Sequence, residues 1–340
     1  MGLIWLAALA AIMSPAGDAP PRTGYAVPSQ AGLLIVYELH IDATLPPPDA
    51  LVVTDPDTGK TLKRFDFDEL ARRSAEFGGS RIVYVEIALA GQTVPSRLTN
   101  RLSTASSDVI ELPVRIDRRP LVVLAAPLKG GPWVAVHSPD WARGHRRVMR
   151  PGMTIPGRFA IDFVGVDEAG RTTRGATDVP ADATGYGAPV LAGAPATVAF
   201  VRDDMAEAES ISSNPAHALA DSAGNYVALR LIDGRHVFYE HLKPGSIRVR
   251  VGQQVQAGDM IGALGFTGDS TGPHLHMHVA DGADPLLAEG LPFVIIGYDE
   301  IGRYADLSSM GSRRWAADGK RRRTVQWPGS NTVVRFDDGD

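Results

Sequence analysis

The chain has 340 residues, no cysteine, and a formal net charge of −5. Without thiols it has neither disulfides nor thiolate metal sites, so any metal must be held by His, Asp or Glu. The mild acidity argues against nucleic acid as the main ligand. With 44% hydrophobic and 21% charged residues, the composition is that of a globular protein long enough for two domains.

In chain order, Met1 to Met13 is an apolar run followed by Ser14-Pro15-Ala16. It is short for a bilayer span and reads as the h-region of a secretory signal. The expected location is therefore the periplasm or the medium, with no stable membrane insertion once the signal is removed. Residues 1–24 are assigned to this segment and a Pro-rich leader. Strands are expected at Gly32–Leu39, Ala50–Thr54, Arg81–Leu89 and Pro120–Leu124, which are rich in β-branched residues and bounded by turn residues. Asp66-x-x-Glu69 resembles a capping box opening a short helix that Gly78-Gly79 stops. Together these predict a β-sandwich-like domain over 25–130 with no catalytic constellation of its own.

A connection over 131–156 contains Gly144-His145-Arg146-Arg147. Gly157 to Val164 reads as a strand carrying a lone Asp162, which is costly to bury unless it is paired or bound to metal. Asp233-Gly234 between two apolar runs marks a hairpin, with Ile232 expected opposite Arg235 and His241 at its far end. Polar loops at Asp167–Tyr186 and Asp203–Ala223 are long enough to flank or cover a site. In Gly272-Pro273-His274-Leu275-His276-Met277-His278 three imidazoles recur at every second position, so a strand directs all three to one face. Neutral imidazole is the commonest metal ligand. The basic cluster Lys320–Arg323 reads as a solvated surface. The overall expectation is a mainly β protein, with a second antiparallel domain over 157–300 and an extension over 301–340.

Several of these stretches carry a resemblance. Gly224-Asn225-Tyr226-Val227, Tyr239-Glu240-His241-Leu242, Gly258-Asp259-Met260-Ile261-Gly262 and Gly268-Asp269-Ser270-Thr271-Gly272-Pro273-His274-Leu275-His276 resemble the lysostaphin/LytM-type zinc metallopeptidases. The resemblance spans about residues 157–282 and is most specific in the last stretch. It implies an antiparallel, hybrid-motif β fold with a zinc groove, and cleavage of peptidoglycan peptides. It implies zinc held by Asp162 and His276, and catalytic roles for His241 and His274. His278 lies beyond the motif and reads as groove lining or structural.

One position departs from the pattern: Arg158 stands where the family has its first zinc-ligating His, and arginine stays protonated. His145 is the candidate replacement, with His217 and His278 as weaker ones. Alternatively Arg158 pairs with Asp162, and the chain is a non-catalytic relative that binds peptidoglycan or regulates another cell-wall hydrolase. A third reading, a carrier module suggested by the Val249–Gly262 turn pattern, lacks a modifiable Lys at that turn.

Overall fold

The structure, a computed structural model, describes residues 22–30, 32–91, 93–104, 109–137 and 144–338. The apolar N-terminal run and Asp140–Arg143 lie outside the described residues. The described chain is mainly β.

Eight strands form the first sheet: β1 (Arg22–Ser29), β2 (Gly32–Asp42), β3 (Pro48–Thr54), β4 (Thr61–Phe65), β5 (Ser74–Phe77), β6 (Ser80–Leu89), β7 (Arg97–Thr104) and β8 (Val109–Ile116). Their order is β4-β3-β7-β8-β1-β2-β6-β5, antiparallel except where β1 runs parallel to β8. The alternation is plain in β7, where Leu98, Asn100, Leu102 and Thr104 are buried between outward residues. Strands from both halves of the sheet share one core that includes Tyr37, Leu39, Leu51, Val85 and Leu98. The helix α1 (Phe67–Arg72) is capped by Asp66, whose carboxylate accepts from the Glu69 amide at 2.8 Å. It stops at Arg72 rather than at Gly78-Gly79, because Ser74–Phe77 is drawn into the sheet and the two glycines turn that strand into β6.

The second sheet holds β9 (Val122–Leu124), β10 (Trp133–Val136), β11 (Ile161–Gly165), β13 (Ala196–Arg202), β14 (Tyr226–Arg230), β15 (His236–Glu240), β16 (Gln254–Val255), β18 (Leu275–Ala280), β19 (Gly290–Leu291), β20 (Phe293–Arg303), β21 (Ala316–Gln326) and β22 (Thr332–Phe336). Its path is β16-β13-β14-β15-β18-β11-β10-β22-β20-β21, with β19 on β18 and β9 on β20. A separate ribbon pairs β12 (Pro189–Leu191) with β17 (Met260–Ala263). Thus β10, from the stretch expected as a connection, lies beside β11, and the expected extension supplies β21 and β22. One face of the central strands packs Phe163, Ile161, Leu275, Met277, Val237 and Tyr239 into the main core. The opposite face carries Asp162, His276 and Glu240 between two smaller apolar clusters, around Phe238 and around Val134 and Val136.

Two local expectations are corrected. Gly157–Val164 is not one strand: Pro156–Phe159 form a 3-10 turn and the strand begins at Ile161. The hairpin pairs Arg230 with His236 and Val227 with Tyr239, one residue away from the expected register. The cause is a three-residue loop, Ile232-Asp233-Gly234, closed by Leu231 N–H donating to the Arg235 carbonyl at 2.8 Å, with Gly234 at φ 87°. Glycine at this left-handed position favours the longer hairpin over a two-residue turn.

Candidate active site

Sheet register assembles the site. Asp162 lies opposite His276 across β11 and β18, and His276 lies opposite Glu240 across β18 and β15. Directly opposed residues on one face bring their side chains into contact, so three adjacent strands present Asp162, His276 and Glu240 in a row. His276 Nδ1 is 2.9 Å from Asp162 Oδ1. His145 arrives from a 3-10 turn, His145–Arg147, and places Nε2 2.9 Å from the other carboxylate oxygen, Oδ2. Ligand atoms of His145, Asp162 and His276 all lie within 4.8 Å of one another.

His274 and His241 complete the floor. His274 Nε2 is 3.4 Å from Asp162 Oδ1, and its Nδ1–H donates to the Gly272 carbonyl at 2.7 Å. His241 follows the end of β15 with φ 60°, a left-handed conformation uncommon for a residue with a Cβ. That conformation swings the ring off the strand to a centroid 4.8 Å from that of His274. Its Nδ1–H donates to the Thr267 carbonyl at 2.8 Å. Both rings therefore have Nδ1 held by the backbone, which turns Nε2 toward the site, in His274 toward Asp162. A cleft of about 880 Å³ opens beside Asp162 and His274. Val179, from the first of the long polar loops, and Ile211, from the second, both line it, with Leu307 beyond them.

Burial opposes charge on Asp162, but the neighbouring His145 and His274 imidazoles hold it well below the usual carboxylate range. Burial, with His145 alongside, lowers His276 to about 4. Burial and the two neighbouring imidazoles push His241 well below the ordinary histidine value. Burial also acts against His274, yet Asp162 outweighs it and raises the pKa. His241 and His274 thus differ in proton affinity although they adjoin, the arrangement that separates a base from a donor.

Of the residues singled out in the sequence, the structure brings Asp162, His276, His145, His241 and His274 together. It puts His217 elsewhere, against Asp269, whose carboxylate accepts from the His217 amide at 2.8 Å. His278 stands behind His276, with Nδ1 3.2 Å from His276 Nε2 and 3.5 Å from Glu240 Oε1. The expected alternative of an Arg158–Asp162 pair is not formed. The Arg158 guanidinium donates instead to Glu38, at 2.9 Å, and to Glu289. Sequence reasoning missed Glu240 as a neighbour of this row, although its place directly before His241 at a strand end was a signal.

A row of His and Asp on an antiparallel sheet, beside an open cleft, is a donor set able to hold a divalent metal ion. Residues 176–287, about a third of the chain, match the sequence model of Peptidase family M23, the family whose lysostaphin/LytM type this stretch resembles. The matched span contains His241, His274, His276 and Glu240 but begins after Asp162 and His145. A curated relative described as an uncharacterized metalloprotease from Buchnera aphidicola is 46% identical over 57 residues, 17% of this chain. The match spans only 15% of that relative's length. Among solved structures, the catalytic domain of the prophage-encoded M23 protein EnpA from Enterococcus faecalis is similar at 22% identity and a TM-score of 0.30, covering 49% of this chain and 93% of that one. The catalytic domain of lysostaphin from Staphylococcus simulans aligns at 21% identity and a TM-score of 0.25, covering 48% and 88%. A zinc-containing peptidase from Vibrio cholerae aligns at 16% identity and a TM-score of 0.30, covering 78% and 84%.

Proposed function

We propose that the chain is a zinc-dependent endopeptidase that hydrolyses peptide bonds of cell-wall peptidoglycan, acting in the periplasm or outside the cell. The observation that carries this is the approach of His145 Nε2 and His276 Nδ1 to the two separate oxygens of Asp162, each at 2.9 Å. The donor set fits zinc: two imidazoles and a carboxylate on converging elements, with the His276 pKa low enough to keep that ring neutral near pH 7. Three protein ligands are the pattern of a catalytic zinc site rather than a structural one. Arg158, the residue that favoured a non-catalytic relative, is engaged by carboxylates away from the site, and His145 fills the place it leaves.

Zinc bound there supplies an activated water and polarises a carbonyl. His241, neutral and with Nδ1–H tied to Thr267, presents an Nε2 lone pair that accepts a proton. His274 stands beside it with Nδ1–H on the Gly272 carbonyl and completes the pair of imidazoles that handle the proton and the developing negative charge. The cleft walls orient an extended peptide across these groups.

Elemental analysis of the purified protein is expected to give about one zinc per chain. His145→Ala and His276→Ala should each lose it. His274→Ala should keep zinc while peptidoglycan hydrolysis falls by about 10²–10⁴-fold. A wild-type protein that takes up no zinc even after reconstitution would overturn the reading.

A further inference from the structure

His145 is placed largely by its neighbour. Arg146, the next residue, is only 4% exposed, and its guanidinium is engaged entirely by the first sheet. Its Nε donates to Glu38 Oε1 at 2.7 Å and Nη1 to Glu86 Oε1 at 2.7 Å. Its Nη2 donates to the carbonyls of Tyr37 and Val85, at 2.9 and 3.1 Å. The second oxygen of Glu38 accepts from Arg158 Nε at 2.9 Å, and Arg158 also reaches Glu289, whose other oxygen accepts from the Ile155 amide at 3.0 Å. One buried carboxylate of β2 therefore fixes both flanks of the 3-10 turns that bracket the site. The opposite side of His145 is closed by Gly157, where an added Cβ would lie 2.6 Å from the His145 Cβ.

Charge makes this clamp specific. Two buried guanidiniums need carboxylate partners, and Glu38 and Glu86 both belong to the first sheet. The same clamp explains why the sheet is joined to the catalytic half through charged residues rather than through apolar packing alone.

We infer that the first sheet is a positioning element of the metal centre. By holding Arg146 and Arg158 through Glu38 and Glu86, it keeps His145 within reach of Asp162, and the three-ligand site is complete only while the sheet is docked. The inference rests on the reading of His145 as a ligand. Arg146 is then a positioning residue, and coupling between sheet docking and metal binding is reciprocal.

The test is zinc affinity of the full chain, measured by competition with a chromophoric chelator, in Arg146→Met. Outer-shell partners of metal ligands typically contribute 10–100-fold to affinity, and a loss of about that size is expected with far-UV circular dichroism unchanged. Adding Arg146→Met to His145→Ala should cause little loss beyond that of His145→Ala itself, because Arg146 acts through His145, and Arg146→Lys should recover part of the affinity. If Arg146→Met does not fold, Glu86→Gln replaces it, since that side chain is 18% exposed and at the rim of the clamp. Wild-type affinity in the folded clamp variant, with zinc lost in His145→Ala, overturns this inference alone. Absence of zinc from the wild type, or retention of zinc in His145→Ala, overturns the ligand reading and this inference with it.

Discussion

At the scale of single residues, proton affinity is set by burial and by which ring nitrogen has a partner. His137, which follows the residue paired with Asp162, shows this. Its Nε2–H donates to the Pro328 carbonyl at 2.7 Å, and its ring lies on Trp327 with centroids 4.0 Å apart. Its Nδ1 has no partner among the described residues. Burial lowers its pKa to about 4. The unfolded chain takes up this proton near pH 6.5 and the folded chain only near 4, so between those values the unfolded state binds more protons and stability falls as pH drops. The contribution is at most about 3 kcal/mol across the window. Replacing His137 with Phe, which keeps the ring packing, should flatten the melting temperature between pH 6.5 and 4. An unchanged slope would show that other groups dominate acid sensitivity. Legibility in the sequence divides along the same line. The alternation of His274, His276 and His278, and the lone Asp162 in an apolar run, follow from side-chain period and desolvation cost, so they can be read locally. Arg158 cannot be read this way, because its carboxylate partners lie 120 and 131 residues away in sequence. His145 approaches from a 3-10 turn with no periodicity to give its direction, and could be named only as the substitute for a missing ligand.

At the scale of elements, the strands were visible and their ends were not. β-Branched runs marked β2, β3, β6 and β9, but the helix stop, the start of β11 and the hairpin register each depended on a turn whose backbone conformation sequence only suggests. Glycines at two such turns make the point testable. Gly268, at φ 74°, opens the turn before β18, and an added Cβ would lie 2.5 Å from the Gly224 nitrogen and from the Ser222 carbonyl oxygen. Both are backbone atoms with little freedom to yield. Gly252, at φ 84°, has nothing within 4 Å of an added Cβ. Gly252→Ala should therefore cost only the left-handed backbone penalty, about 1–2 kcal/mol. Gly268→Ala should cost about 3 kcal/mol or more and weaken zinc binding by displacing His274 and His276. Equal unfolding free energies for the two variants, measured by denaturant titration, would mean that the packing of the Gly268 turn against Ser222–Gly224 contributes little.

At the scale of the whole molecule, the sheet that carries the site is closed by the end of the chain. β22 lies between β10 and β20, pairing Trp133 with Val334 and Glu300 with Val334. Val333, Val334 and Phe336 are buried, and the Asn331 amide donates to the Ala135 carbonyl at 2.7 Å. β10 in turn pairs Val136 with Asp162, so the strand that carries Asp162 is two strands away from β22. Thr332–Phe336 reads in sequence as a closing strand after a basic, polar stretch, but no local pattern shows that it pairs with β10, almost 200 residues earlier. Ending the chain at Pro328 should remove β22, expose apolar faces of β10 and β20, and abolish both a cooperative unfolding transition and zinc binding. The matching control ends the chain at Phe336, just after β22, and deletes only Asp337–Asp340. It gives up the exposed Arg322–Asp337 pair, which solvent screens, and should melt within a few degrees of the full chain. A Pro328-terminated protein that melted like the control would show that the ten-strand path tolerates a missing member, and that the site depends on β11, β15 and β18 alone.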